Sequence, residues 1–176
     1  MLRKILLILA IVLIAFAVFI QSRPAAFSVQ RSATMAAAPE KIFPHLNDLH
    51  LWDAWSPWNE LDPQMQKTYS GSPSGVGAVY EWKGNDDVGS GRMTVTEAVP
   101  NERVAIRLEL FKPMEATNPT TFTIVPQGAQ STVTWRMEGK NGFIGKAFSV
   151  FVDMDAMVGK DFDKGLAKLK AVVEKP

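Results

Sequence analysis

Cysteine is absent from the 176 residues. That excludes disulfides, thiolate zinc sites and a lipid-modified N-terminal cysteine. Histidine is nearly absent too: His45 and His50 are the only two. Their i, i+5 spacing places the rings on different faces of a helix, a poor arrangement for two ligands of one ion, so neither a metal nor a cofactor is expected. No Gly-Lys-Ser/Thr follows the glycine-rich stretch Gly71–Gly77, so it is not a phosphate loop. No Ser/His/Asp set, paired-carboxylate pattern or dinucleotide fingerprint is present. An excess of charge is also lacking, since 19 basic residues face 18 acidic ones. Three of the basic residues, Arg3, Lys4 and Arg23, bracket the first apolar run. Without them sixteen remain against eighteen acidic ones, about −2 for the rest of the chain. A nucleic-acid surface needs basic residues in clear excess on one face, so nucleic acid is not an expected partner.

What is present first is an apolar run. Ile5 to Ile20 carries no charge, glycine or proline. Sixteen helical residues cover about 24 Å, a little short of a bilayer core of about 30 Å. Leu2, Gln21 and the snorkelling Arg3 and Lys4 supply the difference. A cleaved signal peptide is the alternative. However, Pro24-Ala25-Ala26 puts proline where a cleavage site wants a small residue. Residues 1–22 are therefore read as a single-pass transmembrane anchor and 23–26 as a linker. Basic residues ahead of the run favour a cytoplasmic N-terminus and an extracytoplasmic domain on a cell membrane, with Arg23 and Arg31 opposing that orientation.

Residues 27–176 read as one α+β domain, the size expected of a single unit. Phe27–Met35 alternates as a strand. Pro39 opens a helix with Ile42, Phe43 and Leu46 on its apolar face, and a second short helical stretch holds Leu49, Leu51 and Trp52. From Met65 to Lys140 the period is two. Six strands are expected, at 65–70, 78–83, 91–98, 103–111, 120–126 and 131–139, separated by glycine, proline and Asn/Asp turns. Each has one apolar and one wet face, as in an antiparallel sheet covered on one side. Phe148, Phe151, Val158, Phe162, Leu166, Leu169 and Val173 then recur at helical spacing and form the cover. Gly159 and Gly165 lower helix propensity there and point to close approach to the sheet.

Certain stretches carry a resemblance. They are Trp52-Asp53-Ala54-Trp55-Ser56-Pro57-Trp58, Tyr69-Ser70-Gly71, Gly75-Val76-Gly77-Ala78-Val79-Tyr80-Glu81-Trp82, Gly89-Ser90-Gly91-Arg92-Met93-Thr94 and Asp161–Lys170. In this element order they resemble the START-like (SRPBCC) superfamily, and within it the bacterial polyketide cyclase/dehydrase-like branch. The resemblance runs from Phe27 to the C-terminus. It implies a helix-grip fold: a curved antiparallel sheet of about seven strands wrapped on a long C-terminal helix, with an apolar cavity between them. It implies no single reaction.

The residues inferred to face that cavity are Trp55, Tyr80, Trp82, Met93, Ile106, Leu108, Phe122, Trp135, Met137, Phe151 and Met154; a filled core is the competing reading. Of the carboxylates, Glu81 and Glu109 should face water. Glu97 shares a face with Met93 and Val95 and is expected to point inward near a strand end, which makes it the one weak catalytic candidate. The expected function is a membrane-tethered binding or carrier domain for a small hydrophobic, lipid-like or polyketide-like molecule. The alternatives are a cyclase, dehydratase or hydrolase using the same cavity, and an anchored protein-interaction domain with a filled core.

Overall fold

The computed structural model describes residues 1–175. Helix α1 (Leu2–Ser22) is followed by β1 (Ala26–Met35), α2 (Pro39–Asn47) and two 3-10 turns (Leu49–Ala54 and Pro57–Glu60). Strands β2 (Gln66–Gly71), β3 (Ala78–Lys83), β4 (Ser90–Val99), β5 (Arg103–Lys112), β6 (Ala116–Gln127) and β7 (Gln130–Lys140) come next. The chain closes with α3 (Phe143–Phe148) and α4 (Met154–Val173).

The strands form one antiparallel sheet in the order β1-β7-β6-β5-β4-β3-β2. Strands β2 to β7 are a meander, and β1 returns to pair with β7, from Ala26 opposite Lys140 to Met35 opposite Ser131. Because β1 and β2 are opposite edges, α2 and the 3-10 turns must cross the whole sheet, and they close one end of its concave face. Helix α4 lies along the same face over β1. Its inward residues Phe162, Leu166, Leu169 and Val173 meet Met35, Ile42, Leu46, Val104 and Val133, all at most 2% exposed. The convex face carries cross-strand polar pairs: Ser32 with Thr134, Thr34 with Thr132 and Arg92 with Glu81. Alternation in the sequence thus becomes a dry face and a wet face.

Two features depart from the regular pattern. The apolar stripe expected to run through Phe148 and Phe151 into one helix is broken. Residues 149–153 separate α3 from α4, and the Asp153 carboxylate caps α4 by accepting from the Ala156 N–H at 3.1 Å. Phe148 and Phe151 consequently lie outside the cover and are 45% and 77% exposed. Strand β4 also carries a bulge: Val95 opposes Ile106 while Glu97 opposes Ala105, leaving Thr96 as the extra residue. One inserted residue turns every later side chain to the other face. Glu97 therefore does not share the face of Met93 and Val95.

Among the described residues one helix, α1, is long and apolar enough to cross a membrane; it has 21 residues. At 1.5 Å each this is about 32 Å, long enough to cross a bilayer core of about 30 Å. Length and composition fit a membrane span and a secretion signal alike.

Candidate functional site

The concave face divides into a filled sector and an open one. In the filled sector, the Trp135 indole lies flat on the Phe162 ring, centroids 4.0 Å apart and planes 8° from parallel. Phe122, Trp52, Trp55 and Trp58 surround Trp135 at 4.9 to 6.4 Å. Such pairs add about 0.5–1.5 kcal/mol each beyond the area they bury. The 3-10 turns bring the tryptophans in. Trp52 Nε1 donates to the Leu46 carbonyl at 3.3 Å and Trp55 Nε1 to the His45 carbonyl at 3.1 Å, so each indole enters the core with its N–H satisfied. Gly165 makes room for this packing: a Cβ there would lie 2.8 Å from Trp135 and 3.3 Å from Pro57. The Trp135 Nε1 is the exception, a buried donor with no protein acceptor.

The expected cavity residues thus fall into three groups. Trp55, Ile106, Phe122 and Trp135 are at most 2% exposed, and Met137 and Tyr80 are 6% and 8% exposed; these make up the packed floor. Trp82, Met93 and Leu108 lie on the same concave face but are only half-buried, because α4 covers β1 at the opposite edge. Trp82 lies against Gly91 of β4, where a Cβ would meet its ring at 2.5 Å, and its Nε1 donates to the Val88 carbonyl at 3.1 Å. Phe151 and Met154 stand apart from both groups. They line an open groove of about 550 Å³ with Arg23, Phe27, Val29, Val152 and Asp155. The groove lies between the start of β1 and the segment joining α3 to α4, at the end of the sheet from which α1 projects. Phe27 and Val29 were legible as inward residues of an alternating strand. Nothing in the sequence paired them with residues 149–155.

The polar groups sort as follows. Glu97 sits on the wet face, half-exposed, 3.5 Å from Arg103. Glu81 and Glu109 are on that face too, beside Arg92 and Arg107. Arg31, by contrast, points inward from β1. It donates to the Asp155 carboxylate at 2.9 Å and to Asp163 at 3.3 Å, and it holds the Asp155 carboxyl below the usual carboxylate range. Burial raises the Asp161 carboxyl, although Lys164 and Lys160 oppose the shift. Burial also lowers His45, whose Nδ1 has no partner. His50 stacks on Tyr69 with centroids 4.1 Å apart, and Tyr69 is followed by Tyr80 and Trp82 in a continuous ladder. Burial pushes Tyr69 up to about 12 and Tyr80 higher still, so both phenols stay neutral. Among the described residues, no three His, Asp or Glu side chains gather as a metal site would require.

The glycine-rich loop is the hairpin between β2 and β3. Its C-terminal half is tied down, Gly75 N–H to the Asn47 carbonyl at 3.0 Å and Gly77 N–H to the Val95 carbonyl at 2.9 Å. A small recess of about 140 Å³ beside it is lined by Leu49, His50, Tyr69 and Pro73.

A seven-stranded antiparallel sheet gripping a C-terminal helix, with an apolar interior between them, defines the helix-grip class of α+β fold. The family model for polyketide cyclase/dehydrase and lipid transport proteins matches residues 26–174, and the chain belongs to that family. Solved structures share its fold. A protein from Thermobifida fusca is 17% identical over 83% of this chain and 92% of its own, with a TM-score of 0.64. The Aha1 dimer from Colwellia psychrerythraea is 20% identical over 84% and 96%, with a TM-score of 0.60. The di-domain aromatase/cyclase StfQ of the steffimycin biosynthetic pathway is 12% identical over 85% of this chain and 51% of its own, with a TM-score of 0.61. No curated protein matches the chain in sequence.

Proposed function

We propose that this protein is a membrane-tethered binding or carrier domain for a small hydrophobic molecule of lipid-like or polyketide-like chemistry. The observation that carries the reading is the groove between β1 and the segment joining α3 to α4. Its volume of about 550 Å³ falls in the ordinary range for ligand sites, roughly 300–1,000 Å³. Its lining combines Phe27, Val29, Phe151, Val152 and Met154 with the polar Arg23, Ser28, Asn141, Ser149, Asp153 and Asp155. The apolar part of this lining suits a hydrocarbon chain, at about 25 cal/mol per Å² buried, and the polar part suits an oxygenated or charged end of the same molecule. The half-buried Trp82, Met93 and Leu108 give the concave face a second apolar strip. A methionine wall adapts to more than one ligand shape.

Glu97, the weak catalytic candidate of the sequence, lies on the wet face beyond the β4 bulge and away from the groove. Tethering is supported by α1, whose length matches a bilayer core and whose first turn carries Arg3 and Lys4.

The test is native mass spectrometry of the full chain released from membranes in a mild detergent, followed by organic extraction of whatever is bound. A stoichiometric acyl or polyketide-like species supports the reading. A chain that arrives empty and also rejects a panel of fluorescent fatty acids and polycyclic aromatics overturns it in favour of an interaction domain with a filled core.

A further inference from the structure

Helix α3 is the part of the fold that neither the core nor the sheet explains. Phe143, Ile144, Phe148 and Phe151 are 52%, 71%, 45% and 77% exposed within nine consecutive residues. A soluble domain seldom leaves so many large apolar side chains together in water. Their location is specific. α3 touches the end of α1, where Ile20 is 3% exposed and Lys146 Nζ donates to the Gln21 carbonyl at 3.0 Å. The Asn141 N–H donates to the Ala25 carbonyl at 2.7 Å. Only residues 23–25 separate α1 from β1. Three extended residues reach about 10 Å, so this end of the domain cannot leave the place where α1 ends.

The sheet register extends the surface. Ala26 opposes Lys140, and Leu110 opposes Ala116, so the β5–β6 hairpin lies at the same end of the sheet as the α3 segment. The hairpin carries Phe111 and Met114, 45% and 50% exposed. Basic side chains run along this whole end: Arg23, Lys140 and Lys146 beside α1, and Lys83 and Lys112 at the ends of β3 and β5, with Asp86, Asp87, Glu115, Asp153 and Asp155 among them.

We infer that α3 and the segment after it lie in the interfacial layer of the bilayer that α1 crosses, so that the groove opens onto the lipid surface rather than into bulk water. The inference rests on the reading of α1 as a tether. The position of α3 supplies the rest: it packs within one helical turn of the end of α1, at the depth of the lipid headgroups. An amphipathic segment with aromatic side chains and flanking lysines binds there through buried apolar area and attraction to anionic lipid. A ligand with a hydrocarbon tail then passes between bilayer and groove along Ile144, Phe148 and Phe151 without crossing water.

The absence of cysteine makes the test clean. Single variants Ile144→Cys, Phe143→Cys and, at the far end of the sheet, Val125→Cys are labelled with an environment-sensitive fluorophore. The full chain is then reconstituted into phosphatidylcholine vesicles containing phosphatidylglycerol and acyl-chain nitroxide lipid. The expected result is a blue shift and strong quenching at positions 143 and 144, neither of them at 125, and loss of the quench at 143 when Ile144→Glu and Phe148→Glu are added. Equal signals at 144 and 125 in a chain that resists alkaline extraction overturn this contact while leaving the tether and the ligand reading intact. Release of the chain by alkaline wash overturns the tether and this contact together. Recovery of bound ligand by mass spectrometry reports on the binding function separately in either case.

Discussion

The guanidinium of Arg31 lies directly beneath Gly159, so close that a Cβ at 159 would sit 2.0 Å from its Nη2. Asp155 and Asp163, one turn before and one after on α4, clasp it from either side. An inward-facing arginine on β1, a glycine and two carboxylates, one four residues before the glycine and one four after it, therefore set where α4 lies across the sheet. Each element supplies what the others need: the arginine, at the solvent edge of the covered face, finds its partners on the helix, and the glycine lets the helix come close enough to give them.

This contact distinguishes the two helical glycines. Alanine at 159 meets the far end of a flexible side chain, which can swing to solvent. The gain in helix propensity, about 1 kcal/mol, then roughly offsets the lost ion pair. The expected thermal midpoint of Gly159→Ala is close to that of the parent, with the Asp155 carboxyl moving up towards its ordinary range in NMR titration. Alanine at 165 meets the rigid Trp135 ring at 2.8 Å and Pro57 at 3.3 Å. Overpacking of about 1–3 kcal/mol exceeds the propensity gain, so Gly165→Ala should unfold at a lower temperature. Equal midpoints for the two variants would refute the close-approach account.

Core and concave strip should separate in denaturant. Trp135→Ala opens a hole among Phe122, Phe162, Trp52 and Trp55 and is expected to cost about 3–5 kcal/mol. Leu108→Ala, from a half-buried site, is expected to cost well under half of that, about 1–2 kcal/mol. Urea unfolding followed by far-UV circular dichroism compares them. A Trp135→Ala variant as stable as the parent would show that the aromatic cluster is not the core.

Groove occupancy has its own variant. Val152→Trp adds an indole to the groove wall from a connecting segment outside the core. Bound hydrophobic ligand should fall several-fold with little change in thermal midpoint. Glu97→Gln, on the wet face, should leave both ligand and stability unchanged, within about 0.5 kcal/mol. Loss of ligand in Glu97→Gln with retention in Val152→Trp would reverse the assignment.

His45 predicts a pH dependence. Burial holds its folded pKa below the unfolded value of about 6.5. Between those two values the unfolded chain binds a proton that the folded chain does not, so stability falls as pH drops through about 6.5 towards the folded value. Asp161, raised by burial, contributes with the opposite sign and at lower pH. Comparison with His45→Gln isolates the histidine. Urea midpoints at about pH 7.5 and about pH 5.5 should differ more in the parent than in the variant; identical differences would rule His45 out.

Much of the architecture was written in periodicity. Strands announced themselves by alternation, as Val133, Trp135 and Met137 against Thr132, Thr134 and Arg136 do, and α4 by the spacing of Phe162, Leu166, Leu169 and Val173. These patterns are local, and burial of one face follows directly from them. Glu97 shows where that logic ends. A bulge adds one residue on one strand, and no signature of residue type at Thr96 marks it, so the face of every later side chain depends on pairing with β5.

The sequence by itself determined the apolar N-terminal helix, the two-faced strands, the lack of metal-binding thiols and the close approach prepared by Gly159 and Gly165, because each depends on residue type and short-range spacing. Tertiary structure alone decided which apolar residues are floor and which are wall. Trp55 and Trp135 were indistinguishable from Trp82 until α4 was laid over β1, leaving the β3–β5 face half-open. The groove is likewise a product of assembly. Phe27 and Phe151 lie more than a hundred residues apart, and only the pairing of β1 with β7 brings the chain ends together beside the helix that leaves the domain.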